Sequence, residues 1–287
     1  MSEKWGQVRS IIESADVILE VVDARDPWGT RVKEVEKLAD KLGKPLVIVI
    51  NKADLVPRAI LERWAKLLRR ERRTVFLSAR ERMGTRKLWV EIRRATRKRP
   101  VTVAVVGLPN VGKSTIINYL RGRHSAGTSP IPGFTTSPKR VRASRWLRVV
   151  DTPGIVPRLS EEELALRSAL RPEALEDPVP AAMRFLEIVA RKRPEVLVEL
   201  YGFAPSSSDS GSLYKFIEEL AVKRGLLGKG GVPQVEEAAR ILLRDWQTGR
   251  NRFYLEPEDY GLRAEEEGEE HVREKADREQ ANIGQEH

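Results

Sequence analysis

The chain has no cysteine, which excludes disulfides, thiol nucleophiles and cysteine-ligated zinc. Its three histidines, His124, His271 and His287, are too scattered for a histidine metal site. Long hydrophobic runs are missing too. No stretch approaches the length of a membrane span, and the opening residues, MSEKWGQVRS, hold no apolar leader core. A cytoplasmic protein without a membrane partner is the expectation. Acidic residues are the minority, 42 against 52 Lys and Arg, which leaves a net charge of +10. That excess favours polyanions in encounter, nucleic acid above all, or else it is simply a charge-rich surface.

What is present reads as a folded protein. The 287 residues, 40% hydrophobic and 33% charged, can bury the core of one large or two ordinary domains. Four short runs rich in β-branched residues follow one another: VILEVVD from Val17, PLVIVIN from Pro45, TVFLS from Thr74 and VTVAVVG from Val101. Each is nearly continuously apolar, as strands covered on both faces are. Amphipathic stretches separate them, VKEVEKLADKLG, PRAILERWAKLLRRERR and RKLWVEIRRATRK. The alternation predicts an α/β fold with a parallel sheet. KRVRAS and WLRVVD are close enough to form an antiparallel hairpin at its edge.

Beyond the hairpin the pattern becomes helical: SEEELALRSAL, PAAMRFLEIVA, SLYKFIEELAVKR and QVEEAARILLRDW, with Pro and Gly between them. The expected division is 1–156 for the α/β domain, 157–260 for a small all-helical C-terminal domain, and 261–287 for a disordered tail. That tail holds nine acidic and four basic side chains and little that is apolar.

Chemistry is concentrated at strand ends. GLPNVGKS, Gly107 to Ser114, follows a strand and opens a helix. In that context its glycines let backbone N–H groups, including those of Asn110, Val111, Gly112 and Thr115, surround phosphate oxygens. Lys113 would reach the β- and γ-phosphates and the Ser114 hydroxyl would ligate Mg²⁺. DTPG, Asp151 to Gly154, ends the strand WLRVVD. Asp151 can hold Mg²⁺ through water, and the Gly154 N–H can meet the γ-phosphate. NKAD follows PLVIVI, placing Asn51, Lys52 and Asp54 where parallel sheets bind ligands. The Asp54 carboxylate can accept from the ring N–H and the exocyclic amine of guanine, a pair adenine lacks, and the Lys52 stem can cover the base. SAR, Ser78 to Arg80, ends TVFLS, and a backbone N–H of Ser78 or Ala79 there would serve the guanine O6.

The motif order is NKAD, SAR, GLPNVGKS, PGFTT, DTPG, whereas common GTPases begin with the phosphate loop. Sheets can be cut and rejoined at exposed loops without losing a site assembled in space. With DARDP, Asp23 to Pro27, and PGFTT, Pro132 to Thr136, the chain resembles the circularly permuted GTPases of the YlqF/RbgA and YawG type. The likeness is strong from Trp5 to Gly154 and looser over ARILLRDWQTGRNRFY. It implies a P-loop GTPase fold in permuted order, with GTP as substrate and Mg²⁺ as cofactor. The implied function is a slow, hydrolysing switch in assembly of the large ribosomal subunit, with rRNA as partner and the helical domain facing the RNA. A monomer is expected. The alternative is a GTP-dependent RNA-binding module with negligible hydrolysis of its own.

By the family's spacing Thr135, or its neighbour Thr136, completes Mg²⁺ coordination, so the catalytic set is Lys113, Thr135 and Gly154. Ile155 stands where many GTPases have a water-orienting glutamine. The family's N-terminal histidine has no counterpart here, and His124 reads as a surface residue. In similar GTPases the asparagine matching Asn110 binds K⁺; otherwise Asn110 only caps the loop. Two basic surfaces are candidates for RNA. Arg80 to Arg99 carries nine basic and two acidic side chains, read equally as a phosphate grip or a solvated helix face. The other is Arg240 and Arg244 with Arg250 and Arg252; Trp246 beside them reads as core.

Overall fold

The computed structural model describes residues 3–122, 140–142 and 146–263. Six strands form one sheet: Val17–Asp23 (β1), Leu46–Asn51 (β2), Arg73–Phe76 (β3), Val101–Val106 (β4), Arg140–Arg142 (β5) and Leu147–Asp151 (β6). Their order is β3-β2-β1-β4-β6-β5. All neighbours are parallel except β5, which runs antiparallel to β6 at the edge. Every residue of β1 and β2 is buried, so both faces of the central sheet are covered, as the nearly continuous apolar runs require.

The covering helices are Glu3–Ser14 (α1), Lys33–Lys41 (α2), Arg58–Arg69 (α3), Thr85–Ala95 (α4) and Lys113–Leu120 (α5). The apolar stripe of α3, Ile60, Leu61, Trp64, Ala65 and Leu68, is its buried face. Sequence reading left α1 unassigned, although Trp5, Val8, Ile11 and Ile12 already had the helical spacing and Val8, Ile11 and Ile12 are buried.

The chain runs β1, β2, β3 in one direction and then returns to place β4 on the other side of β1. A crevice therefore opens between β1 and β4 at the strands' carboxyl ends. Register aligns those ends: Asp23 faces Asn51, and Val105 faces Asp151.

After β6 the chain is helical: Glu161–Leu166 (α6), Val179–Lys192 (α7), Glu195–Tyr201 (α8), Ser210–Lys223 (α9) and Val235–Thr248 (α10). α6 is shorter than SEEELALRSAL suggested, because Ser168 turns to φ +57°. α8, unassigned from sequence, is seven residues long and fully buries only Leu197. A second core forms here around Phe185, Phe216, Leu242 and Trp246. Ile155, Leu164 and Ala169 instead join the sheet's own core. Beyond α10 the chain returns to the α/β domain: the Leu255 N–H donates to the Arg25 carbonyl (2.8 Å), Trp64 Nε1 to the Leu255 carbonyl (2.9 Å) and the Tyr260 hydroxyl to Asp26 Oδ1 (2.8 Å).

One strand residue breaks the apolar rule. Glu20, in the middle of β1, is wholly buried. Its Oε1 accepts from the Val32 N–H at 2.6 Å, while Oε2 has no partner. Burial, reinforced by the nearby Glu36 carboxylate, pushes its pKa up to about 8. An unfolded glutamate ionises near the ordinary 4.5, so the folded state binds this proton more tightly. Stability from this group is intact below pH 4.5 and is lost as pH rises toward 8. Glu20→Gln keeps the acceptor for Val32 and cannot ionise. Denaturant unfolding from pH 5 to 8.5 should show a flatter stability profile, with the variant gaining on the native chain at the alkaline end. A wild-type profile that falls no faster than the variant's would mean that Glu20 is not held protonated.

Candidate functional site

β4 runs into a loop that only glycine can build at two points. Gly107 has φ +143°, and a Cβ there would sit 2.4 Å from the Val21 carbonyl. Gly112 has φ +98°, and its Cβ would fall 2.2 Å from Asn51 Nδ2. Between them Asn110 also takes a positive φ, +61°. Lys113 begins α5, whose first-turn N–H groups and dipole make an anion cradle. Val111 is buried, so only its backbone can serve a ligand, whereas Ser114 is exposed and Thr115 half-buried. The Lys113 side chain folds back over the loop, donating to the carbonyls of Gly107 (3.1 Å) and Leu108 (2.6 Å). Burial pushes its ammonium down to about 8, with Asp151 opposing the shift.

Asp151 is half-buried at the end of β6. Gly154 lies against the loop: a Cβ on it would stand 3.0 Å from Pro109 Cγ and 3.4 Å from Lys113 Nζ. The Ile155 N–H donates to the Gly107 carbonyl at 3.2 Å, and its side chain is buried in the sheet core. An apolar side chain held in that core has no group with which to orient water. Among the described residues no group of His, Cys, Asp and Glu could hold a metal by itself. The donors at hand, the Ser114 hydroxyl and the Asp151 carboxylate, are hard oxygens, which suit Mg²⁺ completed by phosphate and water. Thr135, Thr136 and the whole of PGFTT lie outside the described residues, as does His124.

The second half of the site follows β2. Lys52 is held at φ +64° and leads into a 3-10 turn, Ala53–Leu55, that carries the half-buried Asp54. Asn51 is buried, with both ends of its amide engaged: Nδ2 donates to the Val111 carbonyl (2.9 Å) and Oδ1 accepts from the Ala79 N–H (3.1 Å). It braces three loops together, and because the amide nitrogen carries a second hydrogen, this bracing does not displace the ligand contact expected of it. Ser78 departs from expectation. Its N–H donates to the Met83 carbonyl at 2.9 Å and its Oγ accepts from the Glu81 N–H at 3.1 Å. With the Ala79 N–H on Asn51, neither amide is left for a base carbonyl.

Sequence reading missed Asp23 as a site residue. It ends β1 opposite Asn51 and pairs with Lys52 Nζ at 2.8 Å. The signal was available, since DARDP ends a strand next to the NKAD strand. Asn110 donates from Nδ2 to the Ser168 carbonyl at 2.7 Å. A carbonyl only accepts, so the nitrogen must face Ser168 and Oδ1 is the end able to bind a cation.

Of the two basic surfaces, one has three of its four arginines engaged within the chain. Arg244 Nε and Nη2 donate to Glu173 Oε1 at 2.9 and 2.8 Å, Arg240 reaches the Leu175 carbonyl at 3.5 Å, and Arg250 lies 3.6 Å from Asp245. Arg240 and Arg244 hold α10 to the 3-10 turn Pro172–Ala174 and its neighbour Leu175, so their cations are engaged within the helical domain. Trp246 is core, stacked on Phe185.

The family model described as 50S ribosome-binding GTPase matches residues 102–189. An uncharacterized GTP-binding protein of Methanocaldococcus jannaschii is 37% identical over 250 residues, covering 86% of this chain and 65% of its own length. The GTPase grn1 of Schizosaccharomyces pombe is 36% identical, covering 88% of this chain and 61% of its own. The chain thus spans less than two thirds of either relative. Among solved structures, GNP-bound YlqF from T. maritima superposes with a TM-score of 0.62 at 26% identity, covering 88% of this chain and 97% of that one.

Proposed function

This chain belongs to the family of circularly permuted GTP-binding proteins of the YlqF type, and from that premise we propose that it is a GTP-hydrolysing switch acting in assembly of the large ribosomal subunit. One observation carries the nucleotide reading. The Asn51 amide bonds the phosphate loop to the strand end bearing Asp54, across 60 positions of sequence. Phosphate cradle and base reader are thereby tied to each other at the ends of β4 and β2, which flank β1, as a single nucleotide bound by both requires.

In this reading Gly112 to Thr115 and the α5 N-terminus hold the phosphates, and Asp54 selects guanine. Ser114 and Asp151, with Thr135, would hold Mg²⁺, which would supply positive charge to offset that of the phosphates. The Gly154 N–H orients the γ-phosphate, and Lys113 stabilises charge that develops there. With Ile155 buried, this chain supplies no glutamine at that position for the attacking water. Asn110 Oδ1 would hold K⁺ beside the phosphates.

RNA contact is placed on α4. Arg86, Val90 and Arg93 share one exposed face at helical spacing. The two acidic residues of Arg80–Arg99 are already taken, Glu81 by Arg80 at 3.5 Å and Glu91 by Arg94 at 3.1 Å. The Arg93 and Arg99 guanidinium groups lie 4.9 and 5.1 Å from the Trp146 ring centroid. Cations with no acidic partner among the described residues, beside an aromatic ring, suit a phosphate backbone.

Turnover of GTP by the native chain should be slow, faster in K⁺ than in Na⁺ at equal ionic strength, and faster again with large subunits. Arg86→Glu with Arg93→Glu should leave turnover of the free protein unchanged and remove the stimulation by subunits. Hydrolysis that is undetectable without particles favours the RNA-binding module instead. A stimulation that survives both charge reversals would move the RNA contact off α4.

A further inference from the structure

The DARDP segment enters the site only through the Asp23–Lys52 pair, yet both Asp23 and Arg25 are buried. Both Asp23 oxygens are used. Oδ1 accepts from the N–H and Nε of Arg25, each at 3.0 Å, and Oδ2 accepts from Arg25 Nη2 and Lys52 Nζ, each at 2.8 Å. Burial would raise this carboxyl, but Arg25 and Lys52 hold it well below the usual carboxylate range. The network continues into the helical domain. Arg25 Nη1 donates to the Trp246 carbonyl, and its guanidinium lies 4.1 Å from the Trp246 ring centroid. Trp246 is itself fixed, with Nε1 donating to the Leu166 carbonyl at 2.8 Å.

A second contact reaches the same loop directly. Gly249 ends α10 at φ +82°, and a Cβ there would stand 2.8 Å from Leu55 Cδ1 and 3.0 Å from Cδ2. Leu55 follows Asp54 in the 3-10 turn. The carboxyl end of α10 thus touches both flanks of the base-reading loop, Lys52 through Asp23 and Arg25, and Asp54 through Leu55.

We propose that the end of α10 positions the base-reading loop, so that the helical domain senses whether a guanine base is in place, independently of the γ-phosphate. This rests on the guanine-nucleotide reading of the site. It differs from a signal carried by Gly154, which would follow the γ-phosphate: here GDP and GTP act alike, and an empty site is the distinguished state. Asp23 and Arg25 are positioning residues acting through Lys52. Coupling of this kind is reciprocal, so any shift of α10 must change base affinity.

The experiment is titration of the full chain with GDP, a non-hydrolysable GTP analogue and Mg²⁺-pyrophosphate. Gly249→Ala should weaken both nucleotides by the same factor, about tenfold, and leave pyrophosphate unchanged. Adding Leu55→Ala should restore most of the loss, because it makes room for the new methyl; backbone strain at residue 249 alone would not be relieved. Trp246→Phe and Lys52→Met should be non-additive in nucleotide affinity if one acts through the other. Unchanged affinity in Gly249→Ala, a loss shared by pyrophosphate, a loss confined to the GTP analogue, or additive effects of the pair would each overturn the coupling while guanine binding stands. A native chain that binds pyrophosphate but neither guanine nucleotide would take both readings down.

Discussion

Asp54→Asn is expected to invert the base preference, weakening GTP at least about a hundredfold and improving xanthosine triphosphate. Guanine presents two donors side by side, the ring N–H and the exocyclic amine, and a carboxylate meets both. Asparagine offers one acceptor and one donor, which matches xanthine, where a carbonyl replaces the amine. The structure makes the site intolerant of compromise. Asp54 sits in a one-turn element between Lys52, held by Asp23 at 2.8 Å, and Leu55, backed by Gly249. A loop so braced cannot shift to rescue an unpaired donor, and an unpaired polar group in a built site is what makes such discrimination large. Competition titration with GTP, ATP and xanthosine triphosphate measures it. Unchanged GTP affinity in the variant would remove NKAD from the site, and ATP competing as well as GTP in the native chain would favour an ATP-using P-loop enzyme.

The parts of this site legible in sequence were those set by backbone conformation and strand periodicity. Gly107 and Gly112 mark turns that only glycine makes, and the apolar runs of β1, β2 and β4 fixed which residues stand at strand ends. Ile155 could be read as unable to orient water from its side chain alone, and its burial agrees. The features that were not legible depend on what arrives from elsewhere in the chain. Asn51 was read as a ligand from its type and place, but its bracing of Val111 and Ala79, which come from other loops, had no local signal. Arg244 looked like a free cation because nothing in its own helix pairs it; Glu173 does, 71 positions away. Arg25 and Trp246 are 221 positions apart, and no local pattern announces such a pairing. Glu20 was hidden within a run read as apolar, since one carboxyl does not break a strand when it can stay protonated.

Lys113→Met should reduce single-turnover hydrolysis by about 10²–10³-fold, the loss typical of one preorganised donor at developing charge. Met has similar length and suits a buried site, so folding should survive. The structure adds a pH signature. Lys113 donates to the Gly107 and Leu108 carbonyls, and burial lowers its pKa to about 8 despite Asp151. Phosphates bring negative charge to the ammonium and must raise that value. Below pH 8 the free protein already carries the proton, and affinity is insensitive to this group. Above pH 8 binding must take up a proton, so affinity should fall by up to about tenfold per pH unit until the bound-state value is reached. Lys113→Met should bind Mg²⁺-nucleotide more weakly at pH 7 and show no such fall between pH 8 and 9.5. Titrations across that range, paired with single-turnover rates at pH 7.5, separate the two effects. A variant that keeps the native rate would place Lys113 outside the phosphate site. One that loses the rate but retains the alkaline fall would assign the titrating proton to another group, with Lys52, whose ammonium burial also lowers, the next to test.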